Sequence, residues 1–186
     1  MSKGNLFVIS GASGVGKGTV LKAVMEKRED LIFSVSATTR APRPGEEDGV
    51  HYYFITKEKF EDMIAKGQFL EYDNHADNYY GTPRDQMEEK LSRGNAILDI
   101  EPVGAKLVKA ACPDATLIFI MPPSKEELER RLRGRGDTSE AQIRMRLTRA
   151  DWEMEQRSWY DHVVVNDRVE DCADQILKII ADKADK

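Results

Sequence analysis

A glycine-rich segment lies between a short apolar run and a helical pattern near the start of the chain. The apolar run spans Leu6 to Ile9, the segment reads Gly-Ala-Ser-Gly-Val-Gly-Lys-Gly-Thr over residues 11–19, and the helical pattern covers residues 20–28. Glycines allow the backbone to turn so that successive N–H groups point inward, and a helix that begins there adds partial positive charge. An ordinary strand-to-helix turn has no need of a lysine after Gly16, where Lys17 stands. The segment therefore predicts a phosphate-binding loop between a strand and a helix.

Every residue of this loop is a candidate for contact with the phosphates of a nucleoside triphosphate: Gly11, Ala12, Ser13, Gly14, Val15, Gly16, Lys17, Gly18 and Thr19. Lys17 is expected to reach the β- and γ-phosphates. Gly18 stands where the general motif has Ser or Thr, whose hydroxyl binds Mg²⁺. Either Thr19 takes this role or water completes the ligand shell of the metal. Asp99, after a run of apolar residues, is the second candidate to hold the metal or its waters; the alternative is a plain acid at a strand end.

Further apolar runs occur at residues 96–100, 116–120 and 162–165. Because they do not alternate with polar residues, they are typical of strands buried on both faces of a parallel sheet. Helical patterns separate or follow them, among them residues 140–159 and the last segment, residues 169–180. Strands that alternate with helices of this length favour right-handed crossover units. The sequence predicts an α/β fold, a parallel sheet of the P-loop NTPase type flanked by helices.

One stretch interrupts the alternation, from Ser34 to about Arg84, and it is rich in aromatic residues and in turn-forming proline. We interpret it as an inserted substrate-binding subdomain. At 186 residues the chain is expected to form a single domain. Its predicted parts are a core of residues 1–33, 85–132 and 159–186, the subdomain of residues 34–84, and a lid with its helix at residues 133–158.

Charge and composition narrow the class of protein. The formal net charge of −5 leaves no global basic field to hold nucleic acid. The first residues lack the apolar core of a secretory signal, and no apolar run approaches the roughly 20 residues of a membrane helix. We therefore expect a cytoplasmic protein without nucleic-acid or membrane partners. Cys112 and Cys172 are too few for a disulfide framework, and the histidines show no metal-ligand spacing.

A second group of candidate residues lies in the interrupted stretch. Arg40 and Arg43 are three positions apart with Pro42 between them, and this rigid spacing suits a fork-like grip on a dianionic phosphate. Glu71 and the segment of residues 78–82 add a carboxylate, phenols and a hydroxyl. Each pattern is weak alone, since paired tyrosines beside a glycine are more often packing residues. Their order and spacing along the chain carry more weight.

Together with the phosphate loop, these motifs resemble the bacterial guanylate kinases over nearly the whole chain, from Asn5 to about Ile180. The resemblance implies a kinase that transfers the γ-phosphate of ATP to GMP, and to dGMP, without a covalent intermediate. It implies Mg²⁺ as the cofactor and ATP and GMP as the partners. It assigns Arg40, Arg43, Tyr52 and Tyr80 to the GMP phosphate and Ser36, Glu71 and Thr82 to guanine, with Asp99 as a further residue of the GMP site.

The resemblance also implies a lid. Gly134-Arg135-Gly136 matches the glycine-arginine-glycine lid of the family, and Arg146 matches an arginine on the following helix. Both arginines are expected to embrace the transferring phosphate. Asn166 matches a position near the adenine of ATP. One segment departs: where the family commonly has aspartate and then glutamine-glycine, this chain has Glu101 and then Pro-Val-Gly, in which the proline fits a first helical turn.

The implied reaction requires alignment of two nucleotides and neutralisation of negative charge. The catalytic candidates are accordingly cationic: Lys17, Arg40, Arg135 and Arg146. A general base is unnecessary because a phosphate monoester, with a second pKa of about 6, is largely ionised at neutral pH. Two alternatives stay open. One is a peptide-binding module with the same fold, which has no reason to keep Lys17 and Arg135; the other is a kinase of a different monophosphate or of a phosphorylated sugar.

Overall fold

The computed structural model describes residues 4–75, 77–134 and 139–184. The chain forms two compact units, the first made of Met1–Leu6 and Asp30–Ala115 and the second of Phe7–Glu29 and Thr116–Lys186. These boundaries differ from those of the predicted core, subdomain and lid, and the single-domain organisation stays a prediction. The elements in chain order are β1 (Leu6–Gly11), α1 (Lys17–Lys27), β2 (Ile32–Ser34), β3 (Ala37–Thr38), β4 (Tyr53–Phe54), α2 (Lys57–Ala65), β5 (Phe69–His75), β6 (Asn78–Pro83), α3 (Arg84–Arg93), β7 (Ala96–Asp99), α4 (Pro102–Ala111), β8 (Thr116–Met121), α5 (Lys125–Arg133), α6 (Glu140–Glu155), a 3-10 turn (Gln156–Trp159), β9 (His162–Val165) and α7 (Val169–Ala184).

The first unit contains a parallel strand pair and a second, mixed sheet. β2 runs parallel to β7, with Ile32 opposite Ala96. The mixed sheet has the order β4-β3-β6-β5; β3 and β5 are both antiparallel to β6, and β3 is parallel to β4. Glu71 of β5 lies opposite Thr82 of β6, next to a register shift between Phe69 and Glu71. This shift sets the face on which the following side chains of β5 project.

Helix α2 covers the mixed sheet and is defined by local signals. Thr56 caps its N-terminus by accepting a hydrogen bond from the Lys59 N–H, and after the helix the chain turns at Gly67, whose φ is 65°. The buried side of the helix centres on Phe60, which is 0% exposed. Its ring stacks on those of Phe69 and Tyr79, with centroids 4.2 and 5.0 Å away.

The second unit has three parallel strands in the order β1-β8-β9. Ile9 lies opposite Ile118, and Phe119 lies opposite Val163. The middle of β1 and most of β8 are fully buried, as their unbroken apolar sequences predict. The expectation that β9 is buried on both faces is wrong, since Val163 and Val165 are 46% and 44% exposed. Val163 and Val165 project to the same face of β9, and this face meets solvent, whereas Val164 on the other face is 3% exposed.

Helices α6 and α7 follow the predicted apolar spacing, with one difference at the end of α6. The predicted helix of residues 140–159 is α-helical to Glu155 and continues as the 3-10 turn. Ser139 and Gln142 form a capping box at its start. The buried positions of the two helices are Ile143, Ala150, Glu153 and Met154 in α6 and Cys172, Ala173, Ile176 and Ile180 in α7. The predicted α/β class is confirmed.

None of the helices in the described ranges combines the length and the apolar character needed to cross a membrane.

Replacement of Phe60 tests the core of the mixed sheet. We expect Phe60→Ala to lower the free energy of unfolding by about 3 to 5 kcal/mol, because the stacked rings lose a fully buried partner and a cavity is left. The measurement is urea-induced unfolding followed by circular dichroism. The control is Val50→Ala at a position that is 58% exposed, where the change is expected to stay within about 0.5 kcal/mol. Equal destabilisation by the two substitutions would contradict this assignment of the core.

Candidate functional site

The glycine-rich loop of the second unit adopts a conformation that requires glycine. Gly14 and Gly16 have φ values of 87° and 91°, in the region that side chains disfavour. A Cβ at Gly14 would also lie 2.5 Å from Leu132 Cδ2. Gly16 precedes the first turn of α1, which begins at Lys17 rather than at the predicted position 20. The backbone thus enters a helix N-terminus directly from the loop, the arrangement that favours anions.

Side chains from distant parts of the second unit hold the loop backbone. The Val15 carbonyl accepts hydrogen bonds from Asn166 Nδ2 at 2.8 Å and from the Arg131 guanidinium at 3.3 Å. Arg131 also donates to the Asn166 carbonyl at 2.9 Å. The Ser13 N–H donates to Glu153 Oε2 at 2.6 Å, so Ser13 would have to contact a ligand through another atom. Sequence reasoning nominated Asn166 but assigned no role to Arg131 or Glu153.

The candidate residues for metal binding are exposed or half-buried. Gly18 and Thr19 are exposed, and a Cβ at Gly18 would meet no heavy atom within 4 Å. Lys17 is half-buried at the start of α1. In the first unit, Asp99 is the half-buried last residue of β7. A hydroxyl and a carboxylate are oxygen donors of the type Mg²⁺ prefers, and this ion usually keeps several waters and binds few protein ligands. The chemistry of each residue, taken by itself, therefore fits contact with such an ion or its waters.

A cationic cluster forms in the first unit around Arg40. Its guanidinium donates to both carboxylate oxygens of Glu46, each at 2.9 Å, and lies 5.4 Å from the ring centre of Tyr52. Hydrogen bonds with Glu46 and then with Tyr80 raise the pKa of Arg40, while burial opposes them. Tyr52 and Tyr80 meet edge to face at 6.0 Å. The structure therefore brings three of the predicted phosphate-binding residues together.

Glu46 organises this cluster, a role that the sequence analysis missed. Besides binding Arg40, it accepts a hydrogen bond from the Arg43 N–H at 2.7 Å. The Arg40 and Arg43 hydrogen bonds lower the pKa of Glu46 to about 2. Glu46 follows Gly45, whose φ of 85° closes the turn after the arginines. An acid placed directly after a turn that carries two arginines was a signal for such an ion pair. The Arg43 side chain is exposed.

The second predicted group, Glu71 and Thr82, forms a buried pair. Glu71 is 5% exposed and Thr82 is 0% exposed. Thr82 Oγ1 donates to Glu71 Oε1 at 2.6 Å. Burial raises the pKa of Glu71 to about 7, against the lowering effect of the Thr82 hydrogen bond. Ser36 is half-buried between β2 and β3, and its carbonyl accepts from the Tyr53 N–H at 2.9 Å.

Helix α4 leaves space for the second oxygen of Glu71. A Cβ at Gly104 would lie 2.7 Å from Glu71 Oε2 and 3.2 Å from its carboxyl carbon. The helix begins at Pro102, with Glu101 as the preceding cap residue, as expected for proline in a first turn. Only glycine lets the backbone of α4 approach this carboxylate so closely. Sequence analysis noted Gly104 but did not connect it with Glu71.

The predicted lid is described only at its edges. Gly134 follows α5, whereas Arg135 and Gly136 lie outside the described residues. Arg146 is half-buried on α6. The assignments of both arginines stay predictions.

Known proteins resemble this chain over nearly its whole length. The guanylate kinase family model matches residues 3–183. The guanylate kinase of Synechococcus sp. (strain JA-3-3Ab) is 48% identical over 180 residues, which cover 96% of this chain and 83% of the relative. That of Clostridioides difficile (strain 630) is 47% identical over 187 residues, covering 100% of this chain and 91% of the relative. The crystal structure of guanylate kinase from Anaplasma phagocytophilum has a TM-score of 0.81 and 34% identity, covering 100% of this chain and 88% of the other.

The buried state of Glu71 generates a testable pH dependence. Its folded pKa of about 7 lies above the usual value of 4.5, so between these values the folded chain keeps a proton that the unfolded chain has released. Retention of this proton stabilises the fold fully below pH 4.5. As the pH rises from 4.5 to about 7 this stabilisation is lost, and the free energy of unfolding falls by about 3 kcal/mol at most. Urea unfolding of the parent and of Glu71→Gln between pH 4.5 and 8 measures it. Parallel curves for the two proteins would contradict the assignment.

Proposed function

Since the chain belongs to the guanylate kinase family, we propose that its second unit binds ATP at the glycine-rich loop and its first unit binds GMP at the Glu71 and Arg40 clusters. The reaction is the ATP-dependent phosphorylation of GMP to GDP. Phosphoryl transfer needs positioning and charge neutralisation more than covalent chemistry. The proposed sites of the two units contain backbone N–H groups, lysine and arginine, which can position phosphates and neutralise their charge.

The buried pair of Glu71 and Thr82 is the observation that carries the choice of guanine. Guanine offers N1–H and its 2-amino group as adjacent donors, and one carboxylate accepts from both. Adenine has an acceptor at N1 and only C–H at position 2, so a buried carboxylate would face it without a partner. Two donors aimed at Glu71 favour its charged form and so pull its pKa down from about 7 when GMP binds. Ser36 is assigned to the same base edge as a further hydroxyl.

The GMP phosphate is assigned to Arg40, Arg43, Tyr52 and Tyr80. Glu46 holds the Arg40 guanidinium by a bidentate pair, which fixes the orientation of this cation. Glu46 repels a bound phosphate dianion, so binding is favourable only if more than one cation lies beside this acid. Arg40 and Arg43 together satisfy this condition. The proposed acceptors include dGMP, as the family resemblance implies.

ATP is assigned to the loop amides, to Lys17 and, near the adenine, to Asn166. Asn166 Oδ1 is buried and has no hydrogen-bond partner among the described residues, so an acceptor is available beside the loop. Magnesium would supply charge neutralisation at the phosphates, with Thr19 and Asp99 as the oxygen donors or as partners of its waters. Arg135 and Arg146 are assigned to the charge of the transferring phosphate. A cytoplasmic location stays a prediction from the sequence.

A panel of acceptors tests the function. We expect ADP release in a coupled assay with GMP and much less with AMP, CMP or UMP. In Glu71→Gln, the ratio of kcat/KM for GMP to that for AMP is expected to fall at least about tenfold, because one base-edge contact is worth roughly 1 to 3 kcal/mol. The fall should come chiefly from GMP. An unchanged ratio would show that other residues read guanine, and turnover of another monophosphate or of none would favour the alternative kinase or the peptide-binding module.

Gly104→Ala tests the space beside Glu71. Alanine in place of helical glycine is intrinsically stabilising by about 1 kcal/mol, so the variant is expected to fold. Its Cβ, however, would push the Glu71 carboxylate away from α4, and KM for GMP should rise while KM for ATP does not. The matched control on the same helix is Leu107→Ala, at an exposed position, which should change neither constant. A parent-like KM for GMP in Gly104→Ala would contradict the proposed packing.

A further inference from the structure

A buried carboxylate of α6 bonds to the backbone of the glycine-rich loop, and no role assigned so far uses it. The Ser13 N–H donates to Glu153 Oε2 at 2.6 Å, although the two residues are 140 positions apart in the sequence. Arg149 Nε donates to the other oxygen, Oε1, at 2.8 Å. The Glu153 side chain is 1% exposed, whereas that of Arg149 is 32% exposed. Each carboxylate oxygen thus has a donor, as a buried charge requires.

This contact precedes Gly14, one of the two loop glycines with positive φ. Gly14 has a φ of 87°, and glycine populates such conformations without fixing any one of them. On its other side, the Val15 carbonyl is held by Asn166 at 2.8 Å. The hydrogen bond from Ser13 to a carboxylate is charge-assisted, and such bonds are about twice as strong as neutral ones. Glu153 and Asn166 therefore hold the loop on both sides of Gly14.

We propose that Glu153 is a positioning residue for ATP: by accepting the Ser13 N–H it orients the loop so that the following amides face the phosphates. The inference rests on the proposed function, in which these amides bind ATP. Glu153 acts through the loop backbone and not by contact with the nucleotide. Because Arg146 lies two helical turns before it on the same face of α6, the same bond ties the helix that carries Arg146 to the loop.

Two substitutions separate this role from that of a simple core ion pair. Glu153→Gln removes the charge but keeps an oxygen that can accept from Ser13, whereas Glu153→Met removes the acceptor as well. We expect KM for ATP to rise about fivefold or more in Glu153→Met, because the half-buried Ser13 N–H loses its acceptor, and to rise less in Glu153→Gln. KM for GMP should stay at the parent value in both. Melting curves confirm that each variant is folded.

The opposite outcomes overturn the proposal. Equal rises of KM for ATP in the two variants would show that only the charge pair with Arg149 matters, and a joint rise of both KM values would show a general structural role. A fall in kcat with both KM values unchanged would also contradict it.

Amide exchange at Ser13 gives a readout that is independent of activity and of the nature of the substrate. In the parent, nuclear magnetic resonance should find the Ser13 amide protected from hydrogen exchange, and in Glu153→Gln the protection should fall while that of the β8 amides stays unchanged. A Ser13 amide that exchanges in the parent as fast as an unbonded amide would overturn the proposal even if Glu153→Met does not fold. Failure of the parent to phosphorylate GMP would overturn the proposed function, and the exchange result would still decide whether Glu153 holds the loop.

Discussion

A loop that offers N–H groups to a ligand has to keep its shape while leaving some of those groups for the ligand. In the glycine-rich loop the Val15 N–H bonds to the Ala12 carbonyl, and side chains from outside the loop supply further hydrogen bonds. Asn166 and Arg131 hold the Val15 carbonyl, and Glu153 holds the Ser13 N–H. The glycines with positive φ permit the turn, and these side chains select one conformation of it. The helix N-terminus at Lys17, and with it the partial positive charge for phosphate, depends on that selection.

The first unit holds two carboxylates in different electrostatic environments. Glu46 is ionised and paired with Arg40, and this pair holds the guanidinium in place. Glu71 is buried beside a hydroxyl and has a pKa of about 7, so near neutral pH it needs donors to favour its charged form. The ionised Glu46 positions a cation. The protonation state of the buried Glu71, in contrast, depends on the hydrogen-bond donors of the group placed against it. The absence of a Cβ at Gly104 leaves the space that the Glu71 carboxylate occupies.

The local patterns of the sequence predicted much of the fold. The strands at β1, β7, β8 and β9 begin at the predicted residues, because each is a short apolar run whose length and composition suffice. The exposure of Val163 was not predictable in this way, since burial of both faces depends on which elements pack against each face of the sheet. The start of α1 was placed too late, because Lys17 and Gly18 look like loop residues until the turn before them is known. The charged Glu153 within the apolar stripe of α6 was a visible signal, but it does not name its partner.

For the site, the sequence by itself determined the phosphate loop, the arginine turn and the family resemblance, because motif order and spacing are properties of the chain as written. Tertiary structure alone decided which groups meet. The Val15 carbonyl and Asn166 are 151 positions apart, and the Ser13 N–H and Glu153 are 140 apart, so only the folded path of the chain brings them within hydrogen-bond distance. The same holds for the space that Gly104 leaves beside Glu71 and for the raised pKa of that acid. Burial and proximity arise from packing, and no short-range pattern of residues encodes them.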